Sequence, residues 1–358
     1  MKVAFLVACL THGGAEKVAS LWINGFVERG YDVSCILMSE QAPISYAVPG
    51  KVKIHKVGPD GQGIRHNLEQ IRKIRSFLKE ERPDMLITIL HPLSIFGYIA
   101  SLGLGIKVIN TEHNTFDRPE YAPFSRRDVI NKYYVNRLFK RVTVFTHADI
   151  SFIGKRLHNV VYLPNPLSMP PVKRIPLKCK TILAVGRMEA WHVKGFDLLI
   201  KAWGEICEKY PEWKLQILGG GDKKFKDYLI ELSRSCNALS SFDIIDFCSD
   251  PTPYYQSASI FVLSSRYEGF GMALLEAMSQ GCACIACDYK GRQSEILPSP
   301  DCGIICETDN EDAIKNAISR MIENSEYRES VRKYAVDRSS DFTLDKIMDR
   351  WEDIIKKI

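Results

Sequence analysis

Two glutamates, two cations and a histidine carry most of the chemistry that this chain offers. The stretch Ser264-Ser265-Arg266-Tyr267-Glu268-Gly269-Phe270-Gly271-Met272-Ala273-Leu274-Leu275-Glu276 follows an apolar, strand-like run at 258–263 and leads into helix-like sequence at 272–279. A strand thus delivers Glu268 to a glycine-relaxed turn, and a helix carries Glu276 about two turns further on. Gly269 and Gly271 let the backbone approach a ligand, and the free N–H groups opening the helix suit a negative charge. The plain alternative is the strand, loop and helix of any α/β protein, with two solvated glutamates. Arg187 ends the strand-like run 180–185 and Lys194 precedes a helix. Paired donors and a compact charge can together neutralise a leaving diphosphate without a metal; an ordinary surface pair is the alternative. His113 leaves the short strand 107–110 beside Glu112, a place that suits a contact to a sugar, general acid–base work, or a hydrogen bond within a loop.

The elements that must position these groups alternate from the start. Strand patterns at 3–8, 32–38, 84–90, 107–110, 142–146 and 160–163 are interleaved with helical ones at 15–29 and 65–80. Gly13 and Gly14 fall in the first strand-to-helix turn, where doubly wound folds bind ligands, but they lack the G-x-G-x-x-G of a dinucleotide site. Pro164, Pro166, Pro170, Pro171 and Pro176 break the pattern and mark a linker. A second series follows, with strands at 180–185, 213–218, 242–247, 258–263, 284–287 and 303–306, and helices at 195–210, 223–236, 272–279, 293–297 and 310–323. The glycine turn 219–221 and Glu268 leave strand ends of that same sheet. The expected domains are 1–166 and 177–340, with a terminal amphipathic helix at 341–358 packing back on the first.

At 358 residues the chain exceeds one ordinary core. A net charge of +5 admits anionic ligands or an anionic membrane surface without calling for nucleic acid. The apolar start at residues 1–10 reads as a buried strand rather than a signal peptide, and no run spans a bilayer. Eleven scattered cysteines point to free thiols in a reducing, cytoplasmic setting. Cys282, Cys284, Cys287, Cys302 and Cys306 lack the spacing of a zinc site. The segment 125–141 alternates cations with apolar residues at helical spacing; it is either a solvated helix face or a basic surface for anionic headgroups or a lipid-carrier pyrophosphate.

Gly13-Gly14-Ala15, Glu112-His113, Gly186-Arg187, Lys194-Gly195, Gly219 to Asp222, and Glu268 with Glu276 together resemble the retaining family 4 glycosyltransferases, over nearly the whole chain. The set is similar to bacterial enzymes that build O-antigen, capsule or protein-glycan oligosaccharides on polyprenyl diphosphate. The resemblance implies the GT-B fold: two Rossmann-like, doubly wound domains facing across a cleft, acceptor on the first and nucleotide-sugar on the second. By position, Arg187 and Lys194 would hold the donor diphosphate near the Gly13-Gly14 backbone, Glu268 would contact the donor sugar, Glu276 the ribose, and His113 the transferred sugar. Phe270, Gly271, Met272 and Ala273 would supply backbone near sugar and phosphates, with Gly219 in the donor set and Phe247 at the base. The implied reaction moves a hexose or N-acetylhexosamine, with UDP-GalNAc as donor or GDP-mannose as its rival, to a polyprenyl-diphosphate-linked glycan. It forms an α-bond with no cofactor or obligatory metal, in the cytoplasm or on the inner face of the membrane. The rivals are a nucleotide-sugar epimerase or phosphorylase, a non-catalytic sugar-nucleotide or lipid-binding protein, and, more distantly, a dehydrogenase. Residues 288–295 and the Trp191-His192 loop depart from the family pattern.

Overall fold

The computed structural model describes residues 1–11, 13–58, 61, 63–89 and 93–358. It separates into two units, residues 1–168 with 344–358, and residues 169–343. The first contains β1 (Lys2–Val7), α1 (Gly14–Glu28), β2 (Asp32–Leu37), β3 (Lys53–Lys56), α2 (Ile64–Glu81), β4 (Met85–Ile89), α3 (Leu93–Ser101), β5 (Lys107–Thr111), α4 (Arg126–Tyr133), β6 (Arg141–Val144), α5 (His147–Ile153) and β7 (Val160–Tyr162). Its seven strands lie in the order β3-β2-β1-β4-β5-β6-β7, all pairings parallel.

The second unit contains β8 (Cys179–Val185), α6 (Trp191–Lys194), α7 (Phe196–Gly204), β9 (Lys214–Leu218), α8 (Lys223–Ser235), β10 (Phe242–Ile245), α9 (Thr252–Ser257), β11 (Ala258–Leu263), α10 (Met272–Ser279), β12 (Ala283–Asp288), β13 (Ile304–Glu307), α11 (Glu311–Glu323) and α12 (Ser325–Ser339). Its six parallel strands run β10-β9-β8-β11-β12-β13. Central strands such as β11, buried at every position, are largely apolar because helices cover both faces; its one polar residue, Ser259, donates to the Cys179 carbonyl oxygen at 2.7 Å. Winding reverses beside β1 in one sheet and beside β8 in the other, and doubly wound sheets bind ligands at such switch points.

The last helix, α13 (Leu344–Lys356), belongs to the first unit. Ile347, Trp351 and Ile354 form its buried stripe, and Trp351 meets Trp22 of α1 edge to face at 5.2 Å. Gly25 gives α1 room for Met348, whose side chain stands 2.7 Å from where a Cβ would be. Arg29 ties the helices through Asp345 at 2.6 Å and Asp349 at 2.7 Å.

Several expected elements are corrected. The basic helix expected over 125–141 ends at Tyr133 and continues as a 3-10 turn, Val135–Leu138, because Lys132 and Asn136 both turn inward to one carboxylate. The helix expected over 195–210 stops at Gly204, where a Cβ would come 2.4 Å from the Cys236 carbonyl oxygen, and resumes as a 3-10 turn. Only a 3-10 turn, Gln293–Glu295, forms over 293–297. The expected strand 242–247 ends at Ile245. The strand expected to reach Leu90 is β4, and Leu90 itself lies outside the described residues. The sequence pattern does not anticipate β3, α3, α5 or α9: β3 is four residues long, and α5 and α9 are too short to show a helical period. The cysteines are free; Cys287 and Cys306 join the second core, where burial pushes the Cys306 thiol up to about 12.

Candidate functional site

In the second unit β8 and β11 are neighbours, so Gly186-Arg187 and Ser264 to Glu268 leave the sheet side by side. Lys194 Nζ lies 2.5 Å from Glu268 Oε1, and the Ser265 hydroxyl donates to the same oxygen at 2.9 Å. Both side chains of the ion pair stay partly open to solvent. Arg187 is exposed, and no described residue pairs with its guanidinium. Gly195 adopts φ 63°, and a Cβ there would sit 2.0 Å from the Ser264 carbonyl oxygen, so only glycine allows this loop to press on the strand end. Gly271 opens α10 at φ 104° without a side-chain cap, which leaves the first N–H groups of the helix for a ligand.

The turn 219–221 closes against the same place. A Cβ on Gly219 would come within 1.8 Å of the Gly186 carbonyl oxygen, and Met188 N–H donates to the Gly220 carbonyl at 2.8 Å. Phe247 stands exposed beside Gly220. Glu276 is buried and accepts from the Tyr255 hydroxyl at 2.9 Å. Burial, then the charge of Glu276, pushes the Tyr255 phenol well above its ordinary range, so it stays a donor. Phe270, Met272 and Ala273 lie on the turn and first helical residues between Glu268 and Glu276.

In the first unit Gly13 precedes α1 with extended backbone, and open space surrounds Gly14, where a Cβ would meet nothing within 4 Å. His113 follows β5, packs between Trp22 and Phe145, and shares a hydrogen bond with Thr111 Oγ1 at 3.1 Å. Burial pushes its imidazole down to about 3, so the ring is neutral at ordinary pH. Its sequence neighbour Glu112 faces elsewhere. That carboxylate is buried, pairs with Lys132 Nζ at 2.7 Å and accepts from Asn136 at 2.9 Å and Asn110 at 3.3 Å. Lys132, counted in the sequence among the cations of a basic face, is 4% exposed.

Three participants escape sequence reasoning. Tyr255 and Lys132 carry no signal apart from their partners, 21 and 20 residues away. Arg266 lies within the stretch that draws attention, yet its bidentate partner Asp197 is 69 residues earlier, beyond any local spacing rule.

Two Rossmann-like parallel sheets, the second with a cation and glycine-rich switch point, define a GT-B glycosyltransferase. The family model for glycosyl transferases group 1 matches residues 168–338, and that for Glycosyltransferase Family 4 matches residues 12–168. With both halves matched, the chain belongs to the family 4 glycosyltransferases. An uncharacterized glycosyltransferase of Haemophilus influenzae is 27% identical over 99% of each chain. The N-acetylgalactosamine-N,N'-diacetylbacillosaminyl-diphospho-undecaprenol 4-alpha-N-acetylgalactosaminyltransferase of Campylobacter jejuni is 24% identical over 97% of each. The crystal structure of Anabaena HepE with UDP and glucose shares the fold at a TM-score of 0.82 and 16% identity, over 100% of both chains.

Proposed function

We propose that this glycosyltransferase moves an N-acetylhexosamine, with UDP-GalNAc as donor, to a polyprenyl-diphosphate-linked glycan and retains the α configuration. The observation that carries the reading is Lys194 held at 2.5 Å by Glu268, beside the solvent-exposed Arg187 and the uncapped start of α10. Charge builds on the departing β-phosphate in an oxocarbenium-like transition state, and fixed positive groups there do most to lower the barrier. Arg187 and Lys194 take that charge, Glu268 faces the donor sugar, Glu276 binds ribose and Phe247 borders the base. Glu276 is committed to ribose and Tyr255, so no second carboxylate is assigned to a double displacement. The acceptor hydroxyl therefore attacks from the face that the phosphate leaves, and a phosphate oxygen takes its proton. His113, neutral, hydrogen-bonds hydroxyls of the transferred sugar. The choice of donor and acceptor is supported by the activity for which the Campylobacter relative is named.

A membrane surface fits the same acceptor. Val129, Ile130, Tyr134 and Leu138 are exposed large apolar side chains, interleaved with the exposed cations Arg126, Arg127, Arg137 and Lys140. Among the described residues no helix is long and apolar enough to cross a membrane. The test is a panel of radiolabelled UDP- and GDP-sugars offered with polyprenyl-diphosphate glycans, with and without EDTA. Acceptor-dependent, EDTA-resistant α-transfer from UDP-GalNAc supports the proposal. Sugar isomerisation without acceptor, or transfer from another donor only, overturns it.

A further inference from the structure

A lysine on four rotatable carbons aims at a phosphate only as well as its backbone root is fixed. The root of Lys194 is fixed in an unusual way. Three successive carbonyl oxygens, those of His192, Val193 and Lys194, all accept hydrogen bonds from the end of β11: from Arg266 Nη1 at 2.5 Å, from the Arg266 backbone N–H at 2.8 Å and from Ser264 Oγ at 2.8 Å. The Arg266 guanidinium is itself 8% exposed and engaged at every nitrogen. Nη1 and Nη2 fork onto the Asp197 carboxylate at 2.7 and 2.8 Å, and Nε donates to Asp309 Oδ1 at 2.6 Å. Asp197 lies in the first turn of α7, and Asp309 follows β13 in the left-handed region at φ 57°, a conformation in which aspartate is tolerated better than most side chains. One planar cation thus joins the exits of β11 and β13 to the loop between β8 and α7.

We infer that Arg266 is a positioning residue for donor binding: braced by Asp197 and Asp309, it sets the backbone of residues 192–194 and so places the ammonium of Lys194 at the diphosphate. The inference rests on the reading that Lys194 holds that diphosphate. A purely structural arginine would stabilise the fold and leave its effect independent of Lys194. A positioning arginine acts through Lys194, so its effect vanishes once the lysine is gone.

The experiment is a double-mutant cycle on the full chain, reading UDP affinity by calorimetry alongside thermal melting. Arg266→Lys keeps a cation for Asp197 but cannot hold the fork, the His192 carbonyl and Asp309 together. It is expected to weaken UDP about 10-fold, and Asp309→Ala about 3-fold, while the same changes in a Lys194→Met background alter affinity by less than about 1.5-fold. Losses that add fully to a strong Lys194→Met effect overturn the inference and leave the donor reading standing. UDP affinity unchanged in Lys194→Met alone defeats the donor reading, and this inference with it. If Arg266→Lys does not fold, Asp309→Ala, whose side chain is 57% exposed, carries the same cycle; full UDP affinity in that variant also overturns the inference.

Discussion

The two sheets are wound in the same order, yet charged pairs near their strand ends are used in opposite ways. Near the end of β5 the first unit holds a glutamate and a lysine, and both are spent internally: Glu112 and Lys132 pair at 2.7 Å, each below 5% exposure, while the histidine beside them is neutral. The second unit leaves Arg187 exposed and holds Lys194 through a half-open pair with Glu268. One pair is closed off inside its unit; the other leaves cations open to solvent. Shared winding therefore does not settle the chemistry at the strand ends; the side chains do.

Four measurements break or sharpen that contrast. Lys132→Met leaves the Glu112 charge buried alone and should cost about 3–5 kcal/mol in urea unfolding, most of which Lys132→Met combined with Glu112→Gln recovers. A loss near zero would show that the first pair is not internal after all. Lys194→Met, by contrast, should melt near the parent temperature and lose about 10²–10³-fold in turnover, with Arg187→Ala close behind. Near-normal transfer in both would erase the distinction between the two pairs. Tyr255→Phe removes a donor from Glu276 and should weaken UDP by roughly 10-fold, in line with a hydrogen bond to a charged group; unaltered affinity would remove Glu276 from the donor site. The last test is in pH. His113 is neutral in the folded chain down to about 3 but takes up a proton near 6.5 when unfolded, so the unfolded state binds more protons between those values. Stability present above pH 6.5 is therefore lost as pH falls, with a slope of up to about 1.4 kcal/mol per pH unit from this one group. His113→Gln should flatten the stability curve between pH 6.5 and 4 relative to the parent, and an identical slope would contradict a neutral ring.

How far the sequence is legible follows the range of the interactions. Strands such as 258–263 and 180–185 announce themselves by largely apolar runs, and the glycines at 195 and 271 by the turns they permit, so the alternation of both sheets can be read directly. The inward turn of Lys132 cannot, because helical spacing of cations is the same for a solvated face and for a residue recruited by a carboxylate 20 positions earlier. Arg266 is hidden for the same reason: a guanidinium is read from its acceptors, and these come from residues 192–197 and from Asp309, both remote in sequence. Phe247 belongs by pattern to a strand and stands instead in the loop after it, since the strand pattern says nothing about where pairing with β9 stops.

Helix α13 has a consequence for biosynthesis. The first unit takes part of its aromatic packing, Trp351 on Trp22, from a helix that follows the whole second unit in the chain, whereas residues 169–343 are contiguous and carry their own core. During synthesis the later segment can therefore finish folding before the earlier one, the reverse of the usual N-to-C order. The nascent first sheet keeps that face of α1 uncovered until α13 has been synthesised.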